Sequence, residues 1–190
     1  MTRIIALLGS AGSGKSTVAG MLEEWHGARR YSFADLLKQI AMRAFDFTRE
    51  QCYGTQAQKE AVDPRYNRSP RWFLQRLGTE GVRGVLGENF WVDATLRRIA
   101  AEAPFVAVID DCRFPNEAAA VRAAGGSVWY LVAPGGAATS ADLAHASESL
   151  IASTYDPARD EMISPDRRGL DDLAVAARAA ASRVLSKEHP

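Results

Sequence analysis

The sequence predicts an α/β fold, and three observations predict it. A short apolar run, Ile4–Leu8, meets a glycine-rich turn and then a stretch of helical periodicity. A second apolar run, Phe105–Ile109, is continuous, as a strand buried on both faces requires, and ends in adjacent carboxylates, Asp110 and Asp111. Amphipathic helical patterns separate these runs and close the chain.

The turn after the first strand reads Gly9-Ser10-Ala11-Gly12-Ser13-Gly14-Lys15-Ser16-Thr17. Gly9, Gly14, Lys15 and Ser16 stand at the spacing G-x-x-x-x-G-K-[ST], the P-loop. Glycines let successive backbone N–H groups converge on one concavity, where a Cβ would obstruct the turn or a phosphate. The N-terminus of the following helix adds unpaired donors and partial positive charge. Lys15 is suited to the β- and γ-phosphates of a nucleotide, and the Ser16 hydroxyl to Mg²⁺. Gly9, Gly12, Ser13, Gly14, Lys15, Ser16 and Thr17 are therefore the nucleotide-binding candidates. Context supports the motif: a strand precedes it, and Val18, Met21, Leu22 and Trp25 follow at i, i+3, i+4 and i+7.

A length of 190 residues suits one domain. We expect a single unit over 1–190, with a substrate-side insertion at about 46–90 and a lid at about 134–148. Lys plus Arg and Asp plus Glu number 23 each, giving zero formal charge, so a nucleic-acid polymer is not an expected partner. The two cysteines, Cys52 and Cys112, form neither a disulfide framework nor a zinc pattern. No signal peptide or membrane-spanning run is expected, which points to the cytoplasm (the host's, if the chain is phage-encoded).

In chain order, Ala28–Phe33 predicts a second strand and Ala34–Phe45 a helix with Leu36, Leu37, Ile40, Ala41 and Ala44 as its apolar stripe. Asp35 then stands at a helix start beyond a strand, the edge where open α/β sheets bind ligands, with Lys38 one turn on. Residues 46–68 are polar and predict an irregular flap. Ser69-Pro70 starts a helix on which Arg71, Gln75, Thr79 and Arg83 recur every four residues, each step advancing about 40°. Two guanidiniums, an amide and a hydroxyl on one face suit a phosphate and a base edge. Leu74, Leu77 and Val85 are expected to pack inward, while Gly78, Gly81 and Gly84 lower helix stability and suggest close approach to the backbone. Glu88–Ala101 is a further amphipathic helix, in which Trp91 is core or a stacking platform.

The carboxylates ending the Phe105–Ile109 run match the second acidic motif of P-loop enzymes, so Asp110 or Asp111 supports Mg²⁺. Arg113 shares that edge, and a helix from Pro115 runs to a C-cap at Gly125-Gly126. Ser127–Val132 predicts a strand, 134–140 a loop or lid, Glu161–Ile163 a short last strand, and Leu170–Leu185 a closing helix.

Together the P-loop, Phe33-Ala34-Asp35 with Leu37-Lys38, Arg71-x-x-x-Gln75-x-x-Gly78-Thr79-x-x-x-Arg83, Ile109-Asp110-Asp111-Cys112-Arg113-Phe114-Pro115-Asn116-Glu117 and His145-Ala146-Ser147-Glu148 resemble the phage-type deoxynucleoside monophosphate kinases. The resemblance implies a three-layer P-loop NTPase fold with a parallel five-stranded sheet flanked by helices. It implies ATP and Mg²⁺ as cofactors and a (deoxy)nucleoside 5′-monophosphate as acceptor, within deoxynucleotide metabolism; a homodimer is left open. Lys15, Asp35 and Arg113 are then the catalytic candidates, and Ser16, Asp110 and Asp111 the metal candidates. Asp35, Lys38, Arg71, Gln75, Thr79, Arg83, Trp91, Arg113 and Glu117 are the substrate-side candidates. Kinases of this kind usually bring an arginine from a lid after the fourth strand. Residues 134–148 contain none, which leaves Arg159, Arg167 or Arg168 as substitutes, or the Arg71–Arg83 helix as the source of both charges. The competing readings are a phosphomevalonate- or dephospho-CoA-type metabolite kinase and a nucleotide switch, although neither N-K-x-D nor L-S-G-G-Q is present.

Overall fold

A computed structural model of the chain describes residues 1–10, 12–132, 155–164 and 169–186. The expected lid, His145-Ala146-Ser147-Glu148, Arg167 and Arg168 lie outside the described residues. The chain forms two compact units: Met1–Ser32 with Leu96–Pro190, and Phe33–Thr95. The second contains the whole of 46–90.

Unit 1 is a sheet layered with helices. Strand β1 (Arg3–Gly9) lies at its centre, between β3 (Val106–Cys112) and β4 (Ser127–Leu131). The edges are β2 (Arg29–Tyr31) and β5 (Glu161–Ile163), giving the order β2-β3-β1-β4-β5 with every pairing parallel. This is the predicted parallel five-stranded sheet. Central parallel strands are covered on both faces, which explains why β1, β3 and β4 read as continuous apolar runs rather than alternating ones. Ile5, Leu7, Val106, Val108, Trp129 and Leu131 pack with Val18, Ala19 and Leu22 of α1 (Lys15–His26). The same core takes Leu173, Ala177, Ala180 and Ala181 from the closing helix Leu170–Leu185. Helix α1 ends at Gly27, whose left-handed φ of 60° lets its N–H reach Glu23 O at 3.0 Å.

Unit 2 is helical: α2 (Asp35–Phe45), α3 (Arg49–Tyr53), α4 (Gln56–Glu60), α5 (Pro70–Gln75), a π-helical segment Arg76–Arg83, and the single turn α6 (Gly84–Leu86). Helix α7 (Phe90–Glu102) starts in unit 2 and continues into unit 1. An aromatic cluster of Phe45, Phe47, Tyr66 and Phe73, with ring centroids 4.6–6.0 Å apart, packs beside buried Ala41 and Cys52.

Three local expectations need correction. Residues 46–68 are not irregular throughout, because Thr48 with Gln51 and Thr55 with Gln58 form two capping boxes that start α3 and α4. The helix begun at Ser69-Pro70 does not stay α-helical: at Arg76 it widens to i→i+5 bonding, and the Gly84 N–H reaches Thr79 O. Val85 does not pack inward, being 76% exposed, since the wider turn changes the face it presents. Among the described residues no helix is long and apolar enough to cross a membrane. Unit 1 also contains α8 (Pro115–Ala123), and the closing helix is α9.

Candidate active site

The P-loop follows the carboxyl end of β1, where the chain has Gly12 and Gly14 at φ of 79° and 94°. An L-residue is strained in that region, so these glycines set the turn. A Cβ on Gly9 would stand 2.6 Å from both Ser13 Oγ and Leu131 O, so the loop can pass here only without a side chain. The Ser13 hydroxyl is buried and has no hydrogen-bond partner among the described residues. A buried donor without a partner is costly, and a phosphate oxygen supplies one. The N-terminus of α1 begins at Lys15, with Ser16 exposed beside it and Thr17 half-buried. The loop thus fits a polyphosphate on its own geometry.

Lys15 Nζ donates to Gly9 O and Ser10 O, each at 2.7 Å, so the ammonium is held over the loop. Its pKa lies below the usual lysine value. Burial is the main cause, the Arg113 guanidinium adds to it, and Asp110 opposes it. Arg113 and Asp110 thus act on the Lys15 charge in opposite senses.

The two carboxylates sit in an irregularity of the sheet. Ala6 pairs with Ile109 and Leu8 with Cys112, so Asp110 and Asp111 together stand opposite the single residue Leu7. A bulge re-aims side chains, and the two adjacent carboxylates here have distinct partners. Asp111 accepts a 2.5 Å hydrogen bond from Ser32 Oγ, while Asp110 lies 3.7 Å from Arg30 Nη1 and acts on Lys15. Ser32 escaped the sequence reading because nothing local marks it.

Arg113 is exposed, whereas Glu117 is 2% exposed. The Glu117 carboxylate accepts the backbone N–H of Arg113 at 2.7 Å and of Phe114 at 3.1 Å. It caps α8 and fixes the turn that carries Arg113. Arg159 borders a cavity of about 360 Å³ with Arg3 and Ser127, the first residues of β1 and β4. That is the opposite end of these strands from the P-loop.

In unit 2, Asp35 is the first residue of α2, where the helix N-terminus favours a carboxylate. Tyr53 Oη donates to Asp35 Oδ1 at 2.9 Å. Burial, and then this bond, push the phenol pKa well above its ordinary value. Lys38 Nζ lies 4.6 Å from the centre of the same ring, so Tyr53 ties together two predicted residues. Tyr53 went unread because it lies in the stretch expected to be irregular.

Arg71 is half-buried, 3.8 Å from Glu60; Gln75 ends α5. Thr79 and Arg83 lie on the π-helical segment, Thr79 exposed and Arg83 half-buried. Trp91 is 3% exposed, and its Nε1 donates to Gly78 O at 3.1 Å. That makes it a packed core residue rather than a stacking platform.

The chain is 36% identical over 157 residues to a protein of Acanthamoeba polyphaga mimivirus named as a deoxynucleotide monophosphate kinase, covering 76% of this chain and 80% of the relative. The chain belongs to the deoxynucleoside monophosphate kinase family. It is an enzyme, a phosphotransferase. A deoxynucleoside-5′-monophosphate kinase of Escherichia phage T5 is 29% identical over 181 residues, covering 64% of this chain and 72% of the phage protein. No family model matches the kinase. Among solved structures, a dephospho-CoA kinase from Campylobacter jejuni superposes with a TM-score of 0.55 at 15% identity, covering 97% of this chain and 98% of that one. At that identity the likeness shows the three-layer P-loop kinase fold alone.

Proposed function

We propose that this kinase transfers the γ-phosphoryl group of ATP, with Mg²⁺, to the 5′-phosphate of a (deoxy)nucleoside monophosphate. An acceptor phosphate oxygen forms the new P–O bond as the bond to the β,γ-bridging oxygen breaks and ADP leaves with the bonding pair. The acceptor oxygen is already ionised, so positioning and charge neutralisation outweigh base catalysis. The observation that carries the reading is the P-loop itself: a glycine cradle with a buried, unpartnered Ser13 hydroxyl, and Lys15 coupled to Arg113 and Asp110.

In this reading the loop N–H groups, Ser13, Lys15 and Thr17 take the ATP phosphates, and Arg113 neutralises charge on the moving phosphoryl. Glu117 positions Arg113 through its backbone. Ser16 with Asp110 or Asp111 supports Mg²⁺; these are hard oxygen donors, too few to hold the ion without nucleotide phosphates and water, as Mg²⁺ prefers. Among the described residues no cluster of three or more metal-ligating side chains exists. When bound, Mg²⁺ screens phosphate charge. Asp35 and Lys38, oriented by Tyr53, take the acceptor phosphate side, and Arg71, Gln75, Thr79 and Arg83 the monophosphate. The expected compartment is the cytoplasm.

The test mixes the purified kinase with ATP and Mg²⁺ and offers each common ribo- and deoxyribonucleoside monophosphate in turn. Acceptor-dependent ADP with the matching diphosphate is the expected result. ADP release indifferent to every acceptor would overturn the kinase reading, and turnover only with a phosphorylated metabolite would replace the acceptor.

A further inference from the structure

The π-helical segment Arg76–Arg83 carries two of the residues assigned to the acceptor, and something must keep it in that register. A π-helix is rarer than an α-helix, occurs mostly as short bulges within α-helices, and is frequent at functional sites. Gly78, Gly81 and Gly84 weaken the α-helical alternative by about 1 kcal/mol each relative to alanine. That lowers the preference for α without selecting π. A contact from outside the segment is needed.

Trp91 makes that contact. Its ring is buried, and its N–H bonds the carbonyl of Gly78, the residue immediately before Thr79. A buried indole N–H requires an acceptor, and Gly78 O is one held at 3.1 Å. The tryptophan is itself anchored, because the Thr95 hydroxyl donates to Trp91 O at 3.0 Å and Phe90 meets its ring edge-on at 5.0 Å. On its other side, Gly78 is pressed against α2: a Cβ there would stand 2.7 Å from Leu37 Cδ2. Gly78 is thus fixed both through its carbonyl and through its missing side chain.

We propose that Trp91 is a positioning residue: its indole N–H on the Gly78 carbonyl holds the π-helical turn in the register that presents Thr79 and Arg83 to the monophosphate. The proposal rests on the acceptor assignment above and deepens it. It makes acceptor affinity depend on a side chain that touches no substrate. It also explains the glycine at position 78, where a Cβ would meet Leu37.

The test is a set of KM measurements for the preferred monophosphate and for ATP. Trp91→Phe keeps an aromatic ring but removes the N–H together with the five-membered half of the indole. It should raise the acceptor KM about threefold to tenfold, the worth of one buried hydrogen bond, with the ATP KM unchanged. Arg83→Ala, run in parallel, should raise the acceptor KM more. If Arg83→Ala does so and Trp91→Phe leaves it unmoved, the positioning role is wrong and the acceptor assignment stands. If neither moves it, the acceptor assignment itself fails. A purely structural tryptophan would lower the folded fraction and reduce apparent kcat, with both KM values held, and that outcome also overturns the proposal. Gly81→Ala serves as the second variant should Trp91→Phe not fold. Its Cβ meets Leu77 Cδ1 at 3.5 Å, an ordinary contact, while alanine has a higher α-helical propensity than glycine. It should raise the acceptor KM without lowering Tm; an unchanged KM overturns the register argument.

Discussion

The two units hold their candidate residues in different ways. In unit 1 the polar groups sit at the carboxyl ends of buried parallel strands, so β1 and β3 place Lys15, Asp110 and Arg113 by backbone pairing. In unit 2 they ride on short helices, and side-chain contacts such as Tyr53 on Asp35 and Trp91 on Gly78 place them. Strand ends supply rigidity before any ligand arrives, which suits phosphate positioning. Helical faces tuned by single hydrogen bonds are easier to re-aim, which suits discrimination among acceptors.

The sharpest break of this contrast is Lys15→Met. Removing the ammonium should lower kcat/KM roughly a thousandfold, the scale of losing a preorganised transition-state charge. Burial makes the charged form costly, while the bonds to Gly9 O and Ser10 O offset that cost, so the variant should keep its Tm. A large loss of Tm would show that the lysine serves the fold instead.

Unit 1 should also be the more brittle half. Asp160 is buried, receives Arg122 Nε at 3.1 Å and Val128 N at 3.2 Å, and also bonds Asp156 N at 2.8 Å. Its hydrogen bonds, above all, raise the Arg122 pKa. Asp160→Ala removes the acceptor of two backbone donors and the carboxylate partner of Arg122, which keeps Tyr130 Oη, and should cost about 3 kcal/mol. Urea unfolding followed by tryptophan fluorescence, to which buried Trp129 contributes, measures it. A loss below about 1 kcal/mol would mean that water or neighbouring groups satisfy Arg122.

How much of this was legible follows the same division. The P-loop, the five strands and the Asp110–Asp111 edge were readable because the chemistry lies between covalent neighbours and buried strands must be apolar. The bulge opposite Leu7 was not, since it depends on how β3 meets β1 rather than on either segment. The π-helical segment was misread because the four-residue spacing of Arg71, Gln75, Thr79 and Arg83 is also α-helical spacing, and only the packing around Gly78 separates the two. The capping boxes at Thr48 and Thr55 were legible; a polar composition hid them. Tyr53 gave no signal, because its partner Asp35 lies in another helix.

Within unit 2, Tyr53→Phe is the milder test. It removes one hydroxyl from Asp35 and leaves the ring beneath Lys38. We expect kcat/KM to fall about threefold to tenfold. Activity equal to the parent enzyme would mean that Asp35 is oriented by the helix terminus alone.

The smallest effect expected is a pH dependence in the same unit. Hydrogen bonds from the Arg65 guanidinium, chiefly, hold the Asp63 carboxyl well below the usual carboxylate range; Gln51 Nε2 and the Arg65 backbone N–H assist, and burial opposes. A folded-state pKa depressed below the unfolded value, about 4, stabilises the protein above that pH. The contribution is lost as pH falls from about 4 through the folded value, because the unfolded chain takes up its proton first. Asp63→Asn should therefore lower the urea midpoint at pH 7, and the gap to the parent should narrow steadily below pH 4. Arg65 is largely exposed, so the gap is modest and shrinks with salt. A gap that stays constant with pH would assign the loss to the shape of the 63–68 turn, which the Asp63 N–H bond to Arg68 O closes, instead of to charge.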